Sequence, residues 1–244
     1  MRPGGHTETA ETQIFPIGVS TCVSQTRPKS AAMLVWLHGG GFLIGDGSPR
    51  EYGPELLLDR GVIVVTLNYR LGVLGFLYGG PGSGAPGNAG LRDQALALLW
   101  VRDNVAGFGG DPGRVTVWGE SAGAIGAHMH SMAAAAPFQR LILSSGVAIL
   151  PWAVQDRPLD ALQRLADTVG WPSTRSPDHP RDLVQFLRKV PTEHLVAAGG
   201  AFETMTVGTA QAAGRAREGL IKFASWLPRI LASTSIQLHR MPAP

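Results

Sequence analysis

The 244-residue sequence predicts an α/β fold, a mostly parallel sheet flanked by helices, and three observations carry that prediction. Short apolar, β-branched runs stopped by glycine alternate with stretches of helical spacing. Two such runs enclose a short helical segment, and a strand–helix–strand unit of this kind pairs its strands in parallel. A tight Gly119-Glu120-Ser121-Ala122-Gly123 turn lies between a β-branched run and a helical stretch. The apolar fraction of 44% against 16% charged supplies enough material for strands buried on both faces.

In chain order, residues 1–30 are rich in Thr, Ser, Gln, Pro and Gly and read as a weakly structured leader. Met33-Leu34-Val35-Trp36-Leu37 is the first buried strand, and Val62-Ile63-Val64-Val65-Thr66-Leu67 the second. Between them, Pro54 to Gly61 reads as a short helix closed by glycine. The glycine-rich stretch 78–88 must be a loop. A helix is expected over about 89–106, where Leu91, Ala95, Leu98, Leu99, Arg102 and Val105 form a largely apolar face. Val115-Thr116-Val117-Trp118 is the next strand, with Ser121 at its exit and a helix running on to about Ala136. Arg140 to Ser144 is a further strand. Helices over 158–170 and 181–190 are bordered by Pro158 and Pro191. Residues 207–244 differ in composition, carrying Arg215, Arg217, Lys222, Arg229 and Arg240 against Glu218 alone. The expected organisation is a leader (1–30), a partial sheet domain (31–206) and a divergent basic tail (207–244).

The net charge of +3 gathers in that tail, so the pI of about 9.4 is no argument for a nucleic-acid partner. Cys22 is the only cysteine, which excludes an internal disulfide. The N-terminus as written has no apolar signal-peptide core, and no run is long enough to span a bilayer. Leu220, Phe223, Leu227 and Leu231 recur at helical spacing, but Pro228 interrupts them, so membrane contact by the tail is not expected. His128 and His130 stand two apart on one helix and face different directions, which argues against a metal site. Nothing in the sequence sets an oligomeric state.

The chemistry gathers at two turns. A serine hydroxyl needs a fixed, exposed position and an adjacent base to act as a nucleophile. The Gly-x-Ser-x-Gly turn is the nucleophile elbow of α/β-hydrolases, with Ser121 at its apex. His38-Gly39-Gly40-Gly41 follows the first strand and offers backbone N–H groups to an oxyanion; Gly40, Gly41 and the N–H of Ala122 are the expected donors. In this fold the acid and the histidine base follow the serine. His38 precedes it and reads as a structural residue under the loop. His128 and His130 ride the helix away from Ser121 and read as packing or polar-network residues. His179, His194 and His239 are expected in loops or the tail, without a recognisable context. The expectation is therefore a hydrolase domain incomplete at both ends, with the triad acid and histidine missing from this chain. For Glu120 two readings stand: a charge that tunes the site or meets a cationic group, and a carboxylate serving structure alone.

Residues 27–154 resemble the type-B carboxylesterase and cholinesterase family. The resemblance rests on Val35-Trp36-Leu37-His38-Gly39-Gly40-Gly41-Phe42, Asn68-Tyr69-Arg70-Leu71-Gly72 with Gly75-Phe76-Leu77, Ala85-Pro86-Gly87-Asn88-Ala89-Gly90-Leu91-Arg92-Asp93-Gln94, Phe108 to Pro112, Gly119 to Ala124, and Ser145-Gly146 with Pro151-Trp152-Ala153, all in family order. It implies an α/β-hydrolase that cleaves small carboxylic esters through an acyl-enzyme on Ser121, without cofactor or metal. It also implies that Trp152 walls the acyl pocket, beside an equal reading as plain core packing, and that Glu120 lies near the site. Members of the family are often secreted. The family's cysteine motif and choline-binding aromatic are not found in residues 1–30. Gly170-Trp171 and Phe186 stand near where cholinesterases place a disulfide. The alternative function is a non-catalytic, cholinesterase-like interaction module.

Overall fold

The structure is a computed structural model that describes residues 8–14, 17–23, 30–133, 135–172 and 180–199, with only the backbone at 8–14 and 17–23. Among the described residues six strands form one sheet: β1 (Glu8–Ile14), β2 (Ile17–Val23), β3 (Ala31–Leu37), β4 (Ile63–Leu67), β5 (Gly110–Glu120) and β6 (Arg140–Ser144), in the order β1-β2-β4-β3-β5-β6. The β4-β3-β5-β6 portion is parallel, while β1 pairs antiparallel with β2, and β2 with β4. The expected strand–helix–strand unit is present as β3, α1 (Glu55–Leu58) and β4, with Val35 opposite Val65.

Alternation along these strands sorts residues onto two faces. Met33, Val35 and Leu37 share a core with Ile63, Val65, Leu67, Val115 and Val117, closed by Leu98 and Val101 of α3 (Ala89–Asn104). On the other face Trp36 stacks edge-on against Trp118 at 4.8 Å and tilts against Tyr52 at 5.0 Å, while Leu58 covers Val64. β6 is different: its residues are at best half-buried, and Ile142 is 44% exposed. Helices α5 (Pro158–Thr168) and α6 (Pro180–Leu187) make a separate apolar cluster, Leu162 and Leu165 meeting Val184, Leu187, Trp171 and Val73.

Several elements differ from expectation. The stretch expected as a weakly structured leader holds β1 and β2. Their Thr, Ile and Val residues have the β-branched side chains that suit strands, and the abundance of polar residues hides this. β5 begins at Gly110 rather than 115, because its first residues run beside β3 at Ala31 despite their polarity. The long central helix stops at Asn104 and tightens into a 3₁₀ turn over Val105–Phe108. α3 is buried almost all round, Asp93 and Gln94 included, and not on a single stripe. The helix after Ser121, α4 (Ala122–Ser131), ends before the alanine run. Two short helices were not expected: α2 (Gly72–Phe76) and α7 (Thr192–Ala197), the second of which takes His194 out of a loop. The basic tail, His179 and His239 lie outside the described residues.

Candidate active site

Adjacent parallel strands β3 and β5 end side by side, Leu37 opposite Gly119, so the turns that follow them meet. Ser121 joins β5 to α4 with φ 51° and ψ −117°, a backbone state that non-glycine residues rarely adopt and that persists only where the surroundings dictate it. Its N–H donates to the Ser144 carbonyl at the end of β6 (2.8 Å), and its carbonyl accepts from Ile125 N–H (3.0 Å). The flanking glycines are demanded by close approach. A β-carbon on Gly123 would strike the carbonyls of Leu37 and His38, one on Gly119 the carbonyl of Gly123, and one on Gly146 the carbonyl of Ser121. The half-buried Ser121 thus stands at the N-terminus of α4, where the helix dipole favours negative charge.

The second turn curls over the first. Gly40 (φ 101°), Gly41 (φ 63°) and Phe42 (φ 63°) are all left-handed, and Leu43 and Ile44 N–H fold back onto the Gly40 carbonyl at 2.9 and 3.1 Å. A β-carbon on Gly39 would lie 3.3 Å from the Ser121 β-carbon, so the loop passes directly beside the serine. The N–H groups of Gly40, Gly41 and Ala122 donate no hydrogen bond among the described residues. Glu120 presses its carboxylate against Gly39 from below. It also faces Tyr52, whose phenol is pushed up first by burial and then by the charges of Glu51, Glu120 and Asp46.

His38 lies buried under the loop. Its Nδ1–H donates to the Gly39 carbonyl (2.8 Å), its ring stacks on Tyr69 (4.4 Å, 16°), and Tyr69 Oη–H donates to the His38 carbonyl (2.8 Å). Burial pulls its pKa down. His128 Nδ1 accepts from Ala148 N–H (3.1 Å), and His130 Nε2 donates to Gln94 Oε1 (3.0 Å) inside the protein. His194 lies on α7. No described histidine hydrogen-bonds Ser121.

A cavity of about 290 Å³ opens beside the glycine loop. Its walls include Gly41, Phe42, Phe76, Leu91, Met129 and Trp152, and among the described residues no charged side chain lines it. Of the predicted site residues, Gly41 and Trp152 reach it; Ser121, Gly40, Ala122 and Glu120 do not. Sequence reading missed the second layer: Tyr69, and the Arg70–Asp93 ion pair with Arg70 Nη2 2.7 Å from Asp93 Oδ1. Arg70 and Asp93 stand in separate sequence motifs, and nothing local marks their meeting.

Comparison with known proteins places this geometry. The carboxylesterase family model matches residues 17–223. A cholinesterase of Branchiostoma lanceolatum is 52% identical over 130 residues, covering 52% of this chain and 36% of the relative. An acetylcholinesterase of Myxine glutinosa is 44% identical over 185 residues, covering 73% of this chain and 53% of the relative. The crystal structure of juvenile hormone esterase from Manduca sexta, with OTFP covalently attached, superposes with a TM-score of 0.68 at 37% identity, covering 75% of this chain and 34% of that one. The chain therefore spans between about a third and half of the length of these relatives. With an α/β-hydrolase sheet, a serine elbow and a glycine loop in family order, this chain belongs to the carboxylesterase family.

Proposed function

We propose that this chain carries the acylation machinery of a carboxylic ester hydrolase. The observation that supports this most is Ser121 held at φ 51° between β5 and α4, beside a loop whose N–H groups are uncommitted. Ser121 Oγ attacks the ester carbonyl carbon and its proton passes to a base. The carbonyl oxygen becomes an oxyanion received by the N–H groups of Gly40, Gly41 and Ala122. Collapse expels the alcohol, which takes that proton, and leaves an acyl-enzyme; water then releases the acid and restores Ser121. The base and its acid come from outside the described residues. Trp152, Phe42 and Phe76 give the acyl group an uncharged apolar wall, and Glu120 supports the loop from below. A small ester is the partner, with neither nucleic acid nor a membrane surface required.

The test is covalent labelling by a fluorophosphonate together with hydrolysis of p-nitrophenyl acetate and butyrate. Labelling is expected on Ser121 and none on Ser121→Ala. Turnover is expected to be slow without the triad acid and histidine, and Trp152→Ala to raise that of the longer ester relative to acetate by about tenfold, since a methylene in an apolar pocket is worth roughly 1–3 kcal/mol. A second reading, a cholinesterase-like interaction module without turnover, is favoured by the lack of a described histidine on Ser121. A folded chain that never labels would decide for it.

A further inference from the structure

The motif Asn68-Tyr69-Arg70-Leu71-Gly72 has no part in the acylation steps, yet it touches the glycine loop repeatedly. Tyr69 Oη–H donates to the His38 carbonyl at 2.8 Å, and its ring stacks on the His38 imidazole. Gly72 N–H donates to the Phe42 carbonyl at 2.7 Å. The Phe42 ring tilts against Phe76 at 5.1 Å, on the helix that Gly72 begins. These ties bracket the loop, two at its entry and two at its exit. Between them lie the left-handed residues Gly40, Gly41 and Phe42, which need external support to keep one orientation.

The bracket is itself anchored at one point. The Asp93 carboxylate, 1% exposed on α3, accepts three hydrogen bonds from Arg70: backbone N–H at 3.0 Å, Nε at 2.8 Å and Nη2 at 2.7 Å. A planar guanidinium held bidentately by a carboxylate fixes direction as well as distance. The Arg70 carbonyl is enclosed too. A β-carbon on Gly75 of α2 or on Gly90 of α3 would collide with it, so both helices close onto the Arg70 backbone. The segment that holds the loop thus has its origin fixed to α3, far from Ser121 in sequence.

Resting on the acylation reading above, we infer that Arg70 and Asp93 are positioning residues for the oxyanion loop. The pair sets where residues 69–72 lie; these set His38 and Phe42; and the peptides between aim the Gly40 and Gly41 N–H groups. The pair touches no substrate. A displacement of about 1 Å at reacting groups can reduce rates by about a hundredfold, so a loosened anchor acts on chemistry more than on binding.

Asp93→Asn puts an amide N–H₂ where one carboxylate oxygen accepts from Arg70, which breaks the two-pronged pairing, and Arg70, with its side chain 42% exposed, can turn to water, so this variant loosens the anchor with the least burial of unpaired charge. Arg70→Lys keeps the charge and loses the fork. Tyr69→Phe keeps the ring and loses the bond to His38. The 244-residue chain and each variant are to be reacted with a fluorophosphonate over a concentration series, separating reversible affinity from the inactivation rate constant. The rate constant is expected to fall about tenfold or more in Asp93→Asn, less in Arg70→Lys, with affinity within about twofold. Amide exchange at Leu43 and Ile44, whose N–H groups report closure of the loop onto Gly40, is expected to quicken about tenfold while β5 stays protected. Folded Asp93→Asn with wild-type exchange at these amides overturns the inference; if that variant does not fold, the same result in Arg70→Lys does. Failure of the wild-type chain to label strikes the acylation reading instead and leaves the exchange measurement to decide on the anchor.

Discussion

Two neighbouring turns carry the site, and they hold improbable backbone with a different balance of steric fit and hydrogen-bonded ties. The elbow at Ser121 is held by steric fit: glycines at 119, 123 and 146 let carbonyls approach where no β-carbon could stand. The loop at Gly40–Phe42 is tight against itself at Gly40, where a β-carbon would strike the Ile44 carbonyl, but it is tied to the rest of the fold through Tyr69, Gly72 and Phe76, and around Gly41 there is open space. A turn fixed by fit fails when an atom is added. A turn fixed by ties fails when a distant bond is removed. The difference suits the tasks, since a nucleophile needs one position and an oxyanion hole must also admit substrate.

The largest expected effect breaks the elbow's chemistry without touching its frame. Ser121→Ala should abolish fluorophosphonate labelling and any ester turnover, with an unchanged unfolding midpoint, because only Oγ is lost. Next comes the frame itself. Gly123→Ala forces a methyl into the carbonyls of Leu37 and His38, which are backbone and cannot step aside. A loss of about 4 kcal/mol is expected, enough to abolish cooperative unfolding in a marginal domain. Urea titration followed by tryptophan fluorescence checks this, and a variant as stable as the parent would mean that the elbow is held by something other than fit.

How far the two turns were legible in the sequence follows from the same difference. Ser121, Gly119 and Gly123 sit within five consecutive residues between two periodic segments, so the elbow could be read locally. The glycine run at 39–41 was equally visible. The ties were not. Tyr69 and Gly72 reach residues 31 and 30 positions away, and Arg70 meets Asp93 across a turn, a short helix and a loop. Those meetings depend on β4 lying next to β3, which propensity does not encode. α2 has five residues, too few to show a period. The strand reading missed β1 and β2 for a related reason: an antiparallel pair at a sheet edge can be polar, and polarity reads as a leader.

One buried histidine lies under the glycine loop and another at the far end of the helix that the elbow starts, and acid separates them. His130, on the helix that the elbow starts, is 1% exposed, and burial pushes its pKa down to about 4; His38, under the loop, is lowered as well, against the opposing pull of its Gly39 hydrogen bond and Asp46. Between the unfolded value near 6.5 and about 4 the unfolded chain binds more protons at His130, so stability rises with pH there and is lost as pH falls. A loss of stability on the order of 3 kcal/mol from His130 is expected as pH falls from 6.5 to about 4. Urea titrations at pH 7, 5.5 and 4 should show the decline, and His130→Gln should flatten it more than a change at His38. An unchanged acid limb in His130→Gln would remove the elbow-side histidine from the account.

The smallest expected effect is the sharpest test of the contrast. Gly41 has φ 63°, yet a β-carbon built there meets nothing within 4 Å, unlike one at Gly123. Gly41→Ala therefore carries only the left-handed penalty of an L-residue, about 1 kcal/mol. The N–H stays, and so do the ties to His38 and Phe42. The added methyl lies beside the cavity that Gly41 lines, so any change should appear as weaker use of p-nitrophenyl butyrate than of acetate, not as lost labelling. Collapse of the fold in Gly41→Ala, on the scale expected for Gly123→Ala, would show that fit governs the loop beyond Gly40, and the distinction between the two turns would fall.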